Sequence, residues 1–270
     1  MESSRKLRVG AVSYLNTKPL VFELEELAPN AEIIYDVPSQ LADALAAGRL
    51  DVALVPSIEY LQHPGYALVS DACIACRGPV LSVKLLSRVP LHRIRTLALD
   101  EGSRTSVVLV RILLRLLHGC QPDLLPLGLD DAVADSPADA VLLIGDRAIR
   151  PAGGVFVEQW DLGDAWCRWS GLPFVFAMWT ARPEACLDRI EPALRQARDR
   201  GTAHLEALAE KHAAAVGLTY GECLVYLRDH LYFHFGPAER QGLERFRGLA
   251  EELDLLPALQ GATSMDDRDG

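Results

Sequence analysis

Three short apolar runs alternate with two amphipathic stretches in the first 56 residues, and that rhythm leaves little choice but a parallel α/β arrangement. Strands are predicted at 7–12, 31–36 and 51–56, with helices at 17–27 and 39–48 between them. The second helix carries its own punctuation. Pro38 and Ser39 open it, Leu41 and Leu45 give an i, i+4 stripe, and Gly48 closes it. Connections this short imply right-handed βαβ crossovers. In such a sheet the carboxyl ends of the strands gather polar turns, and ligands collect outside them. The first of these turns, Ser13-Tyr14-Leu15-Asn16-Thr17-Lys18-Pro19-Leu20, follows a buried strand directly. Its backbone N–H groups and small polar side chains favour an anionic ligand.

The rhythm restarts at 95–100, where a strand runs into Glu101-Gly102-Ser103-Arg104-Thr105-Ser106 and an apolar helix over 107–117. Further strands are predicted at 139–144, ending in Gly145-Asp146, and at 173–179. The extended segment 78–87 leads out of the first unit and 173–179 leads back. Two α/β lobes follow: residues 1–90 with 178–270, and residues 91–177. From Glu184 the pattern turns helical, with Ile190, Leu194 and Ala197 on one stripe and helices over 220–233 and 237–253. Residues 261–270 are small and acidic and are expected to fray.

Composition narrows the function. Asp and Glu number 37 against 27 Lys and Arg, a net charge of −10, which disfavours a nucleic-acid partner. Any anion site must therefore be locally positive. No apolar run approaches the ~20 residues that span a bilayer, and Met1-Glu2-Ser3-Ser4-Arg5-Lys6 has no apolar signal core, so no membrane association and a cytoplasmic location are expected. The six cysteines are scattered, as reduced thiols are. Cys73-Ile74-Ala75-Cys76 spells CxxC, but it lacks a second pair for zinc and precedes a strand instead of opening a helix.

Candidate site residues lie at the strand ends. Ser57, Ser103, Thr105 and Ser106 stand at predicted helix starts, where they can cap the helix or bind a carboxylate. Arg104 is the one guanidinium in the set and suits a carboxylate, or else lies on an exposed first turn. Asp146 can accept a substrate hydroxyl or simply form a turn. Ser82 lies on the connecting segment, and Phe174 can wall a cleft. His230 and His234 would share a helical face but lack the HExxH pattern, and no G-x-S-x-G, Walker A or GxGxxG motif is present.

SYLNTKPL, VPSIEY, GPVLSVKLLS, LDEGSRTSVVL, LLIGD and DLGDAWCRWSGLPFVFAMW, in this order, together resemble the MqnA family of chorismate dehydratases over most of residues 7–180. The resemblance implies a type II periplasmic-binding-protein-like fold whose C-terminal helices return to the first lobe. It implies a lyase that removes water from chorismate, a dicarboxylate, to give 3-[(1-carboxyvinyl)oxy]benzoate on the futalosine route to menaquinone, with no cofactor or metal. By the same resemblance Asn16 and Ser82 lie nearest the reacting centre. Tyr14, Thr17, Ser57, Ser103, Arg104, Thr105, Ser106, Gly145, Asp146 and Phe174 would bind substrate. The candidate set contains no histidine and no glutamate, so the substrate's own enolpyruvyl carboxylate is expected to take the ring proton. Two alternatives stay open at this point. One is a cytoplasmic sensor of a small anion. The other is the 1,4-dihydroxy-6-naphthoate synthase of the same route, whose Ser-Pro-Cys-Pro-Asn-Asp start differs from Ser13-Tyr14-Leu15-Asn16-Thr17.

Overall fold

The computed structural model describes residues 5–256 apart from 152, 184, 186, 188 and 189; the tail 261–270 lies outside them. Strands β1 (Leu7–Val12), β2 (Ala31–Asp36) and β3 (Val52–Pro56) pair in parallel as the spacing demands. β4 (Ala67–Cys76) follows, then β5 (Val83–Ser87), β6 (Thr96–Asp100), β7 (Asp123–Leu127), β8 (Ala140–Ile144), β9 (Glu158–Asp161), β10 (Phe174–Ala181) and β11 (Tyr232–His234). The helices are α1 (Leu24–Leu27), α2 (Pro38–Ala46), α3 (Ser57–Gln62), α4 (Thr105–His118), α5 (Asp146–Ile149), α6 (Leu162–Ser170), α7 (Ile190–Ala203), α8 (Leu205–His212), α9 (Tyr220–Val225) and α10 (Pro237–Glu252).

Among the described residues two sheets form, ordered β11-β4-β10-β3-β1-β2 and β7-β6-β8-β5-β9. Each is mixed, because β10 runs against both of its neighbours, β3 and β4, and β5 runs against β8. The second sheet is covered on both faces, and its strands show why. Leu85, Leu97 and Leu142 enter the large core shared with the first sheet. Their neighbours Leu86, Ala98, Val141 and Leu143 point the other way into a small second cluster with Leu127 and Ala148.

Several expectations need correction. β5 hydrogen-bonds to β8 and β9, so residues 83–87 belong to the second sheet, and the chain crosses before them rather than at 90. β10 lies wholly in the first sheet, so the return comes at 174 and not at 178. The predicted helix 17–27 is split into a 3₁₀ turn, Leu15–Val21, and the short α1. Pro19 lacks the N–H to continue an α-helix, and Glu23 takes a left-handed conformation (φ 55°) between them. Cys73 and Cys76 do not precede a strand but lie buried in β4. The predicted helix 220–233 ends at α9, widens into a π-turn, Tyr226–His230, and gives way to β11. His230 and His234 therefore share no helical face.

The C-terminal helices pack on the first sheet. α7 approaches the 3₁₀ turn so closely that a Cβ on Gly201 would stand 2.0 Å from the Pro19 carbonyl oxygen, so only glycine fits there. Close backbone packing by a distant helix thus fixes the turn that carries Asn16.

A second constraint acts at the crossing. Asp161, at the end of β9, accepts from the Val80 amide at 3.0 Å, from the Leu81 amide at 2.7 Å, and from the Asp164 amide at 3.0 Å as the N-cap of α6. Leu81 sits at φ 61°, a conformation that costs a non-glycine residue ~1–3 kcal/mol and persists only when its surroundings over-determine it. Ser82 is the next residue. Asp161→Ala is expected to lower stability by about 2–3 kcal/mol, a fall of about 5–10 °C in Tm, with loss of activity through Ser82. Calorimetry and turnover on one preparation check both outcomes.

Candidate active site

The carboxyl ends of the strands in both sheets face one cavity with about 500 Å³ of empty volume. Its polar lining comes from Tyr14 and Asn16 after β1, Ser82 before β5, Ser103 to Ser106 between β6 and α4, and Gly145 after β8. Its apolar wall includes Val12, Ile74, Val80, Val83, Ile144 and Phe176.

The lobes are tied at its rim. The Leu15 amide donates to both Asp146 carboxylate oxygens, at 3.0 and 3.2 Å. The Ser39 amide donates to the Gly102 carbonyl at 3.2 Å, and the Ile58 amide to Thr105 Oγ1 at 3.2 Å. Arg104 reaches across to Glu59 at 2.9 Å and Asp43 at 2.6 Å.

These ties sort the sequence candidates. Tyr14, Asn16, Ser82, Ser103, Arg104, Thr105, Ser106 and Gly145 line the cavity. Thr17, Ser57, Asp146 and Phe174 do not. Thr17 is buried, and its hydroxyl donates to Asn16 Oδ1 at 3.3 Å. Ser57 donates to the Val175 carbonyl at 2.7 Å. Asp146 is occupied by the Leu15 amide; burial raises its pKa, and that hydrogen bond opposes the rise. Phe174 packs edge-on against Trp166 and Phe246, and Phe176, two residues on, reaches the cavity instead. A period-two reading of 173–179 carried that possibility.

Gly145 adopts φ 65°, ψ −152°, a region essentially closed to other residues. A Cβ there would also lie 2.6 Å from the Tyr14 ring, so the absent side chain makes room for Tyr14. Burial and the nearby Asp100 carboxylate push the Tyr14 phenol well above its ordinary pKa, which keeps it a neutral donor.

The charge balance of the lining decides its chemistry. It contains no carboxylate, imidazole, thiol or amine, and its one cation, Arg104, is engaged by two carboxylates. What remains for an anion is hydroxyls, the Asn16 amide and the first-turn N–H groups of α4, which have no acceptor within the helix. Among the described residues no cluster of His, Cys, Asp and Glu is arranged to hold a metal ion. No helix among them is long and apolar enough to cross a membrane.

Two α/β lobes closing on one cavity give the chain a periplasmic-binding-protein-like fold. The fold is that of the periplasmic aliphatic sulphonate binding protein of Escherichia coli (TM-score 0.60, 16% identity, 99% of this chain and 98% of that one). An Archaeoglobus fulgidus crystal structure is also similar (TM-score 0.73, 16% identity, covering 94% and 100%). The chain belongs to the menaquinone biosynthesis family, whose sequence model matches residues 7–252. A curated relative from Thermus thermophilus, named chorismate dehydratase, is 32% identical over 266 residues, covering 92% of this chain and 95% of the relative.

Proposed function

We propose that this chain is a chorismate dehydratase, converting chorismate to 3-[(1-carboxyvinyl)oxy]benzoate and water. The observation that carries this reading is a cavity whose polar lining is hydroxyls, the Asn16 amide and the start of α4, with no side chain able to act as a base near neutral pH. Such a cavity suits a substrate that brings its own base. Chorismate loses the proton of the ring carbon bearing the enolpyruvyl ether and the hydroxyl of the adjacent carbon, and the ring becomes aromatic. The enolpyruvyl carboxylate takes that proton, the C–H electron pair enters the ring, and the C–O bond to the hydroxyl breaks. The proton and hydroxide together leave as water.

The pocket then has three tasks. Ser103, Ser106 and the start of α4 hold carboxylate. The apolar wall excludes water and presses the ring into one orientation. Asn16 and Ser82 donate toward charge that develops as the bonds break. A cytoplasmic setting, where thiols such as buried Cys73 and Cys76 stay reduced, belongs to the same proposal.

Incubation of the purified chain with chorismate is expected to give a benzoate-type absorbance and one product whose mass is lower by water. Tight binding with chorismate recovered intact would indicate a sensor and overturn the reading.

A further inference from the structure

The helical tail brings one polar group to the candidate site that the sequence reading did not single out. α9 widens into the π-turn Tyr226–His230, a geometry that recurs at functional sites. The turn carries Tyr226 inward, leaving the residue 1% exposed. Its hydroxyl has no hydrogen-bond partner, although a phenol buried this way ordinarily finds one. The groups it faces are the side chains of Ser82 and Asn16, with the Asp146 carboxylate and Cys223 also close enough to act on it. Burial raises the phenol's pKa well above its ordinary value, so it keeps its proton.

Both neighbours are only partly committed. Thr17 Oγ1 donates to Asn16 Oδ1, which leaves the Asn16 Nδ2 hydrogens for other acceptors. Ser82 Oγ has a long 3.4 Å contact to the Val80 carbonyl, so its proton is weakly held. A phenol between them can accept from one and donate to the other.

We propose that Tyr226 is a positioning residue that couples the two. With substrate bound, one Asn16 Nδ2–H donates to Tyr226 Oη, and Tyr226 O–H donates to Ser82 Oγ. The Ser82 proton is thereby turned into the cavity, toward the departing ring hydroxyl, while the second Asn16 N–H faces the substrate. The chain of donors polarises in one direction and needs no net proton transfer to Tyr226. This inference rests on the dehydratase reading.

Tyr226→Phe removes only the unpaired hydroxyl, so the fold should keep or gain Tm. The expected result is a kcat about 10–100-fold lower, the scale on which lost orienting partners act, with KM changed less than about threefold. In a Ser82→Ala background the same substitution should add less than about twofold, because the hydroxyl it orients is gone. A purely structural role would lower Tm and give losses that add to those of Ser82→Ala. Unchanged kcat in Tyr226→Phe, or losses that add, would overturn the coupling while leaving the dehydratase reading in place. A wild-type chain that leaves chorismate intact would overturn that reading and the coupling with it.

Discussion

Asn16→Ala is expected to lower kcat for chorismate by about 10²–10³-fold, equivalent to about 2.7–4 kcal/mol of transition-state stabilisation. The magnitude follows from where the amide sits. Asn16 is 9% exposed, on a turn fixed from three directions: by the Asp146 carboxylate on the Leu15 amide, by α7 against Pro19, and by the Thr17 hydroxyl on its own Oδ1. A donor held this way need not reorganise as charge develops, and the apolar wall keeps water from substituting for it. KM should move less than kcat, because the amide acts on the transition state more than on the bound carboxylates. Circular dichroism and Tm establish that the variant is folded. Near-normal turnover by a folded Asn16→Ala chain would remove Asn16 from the chemistry.

How much of this was legible beforehand depends on the range over which each feature is set. β1, β3, β6 and β8 were readable because each is a short apolar run bounded by turn residues, and burial in a sheet demands little else, while the edge strand β2 was readable from its place in the βαβ rhythm. The helix start at Ser103 to Ser106 was readable from local chemistry alone. The other edge strands were not. β7 carries Pro126 and is largely exposed, and β9 is four residues without alternation, so both exist through their partners. β11 is three residues long and is specified by the β4 edge.

The same limit applied to the candidate site. Sequence supplied the hydroxyls and amides at the strand ends but not where each would use its hydrogen bonds. Asp146 looked available to substrate until the fold set it on an amide 131 residues away. Thr105 reaches an amide 47 residues away. Tyr226 offered no signal, since a π-turn has no local sequence signature among the rules that placed the other helices.

Arg104 carries the last of these long-range assignments, and its removal is expected to cost stability first. Its guanidinium spans the lobes, 2.9 Å from Glu59 and 2.6 Å from Asp43. The Glu59 side chain is only 6% exposed, so Arg104→Ala leaves a carboxylate with little water and only the more distant His63 ring, at 3.9 Å, beside it. Breaking a buried pair in this way costs about 3–5 kcal/mol. Arg104 is about a third exposed, which discounts the expectation to about 2–3 kcal/mol, or roughly 5–10 °C in Tm. Because these ion pairs fasten one lobe to the other, KM should rise as the closed form becomes less populated. Glu59→Gln in the Arg104→Ala background separates this latch from a direct ligand contact. A neutral amide tolerates the buried position better than an unpaired carboxylate, so the double variant should recover part of the lost Tm, and with it part of the KM. If Arg104 instead bound the substrate carboxylate, KM would rise without a fall in Tm, and neutralising Glu59 would restore neither.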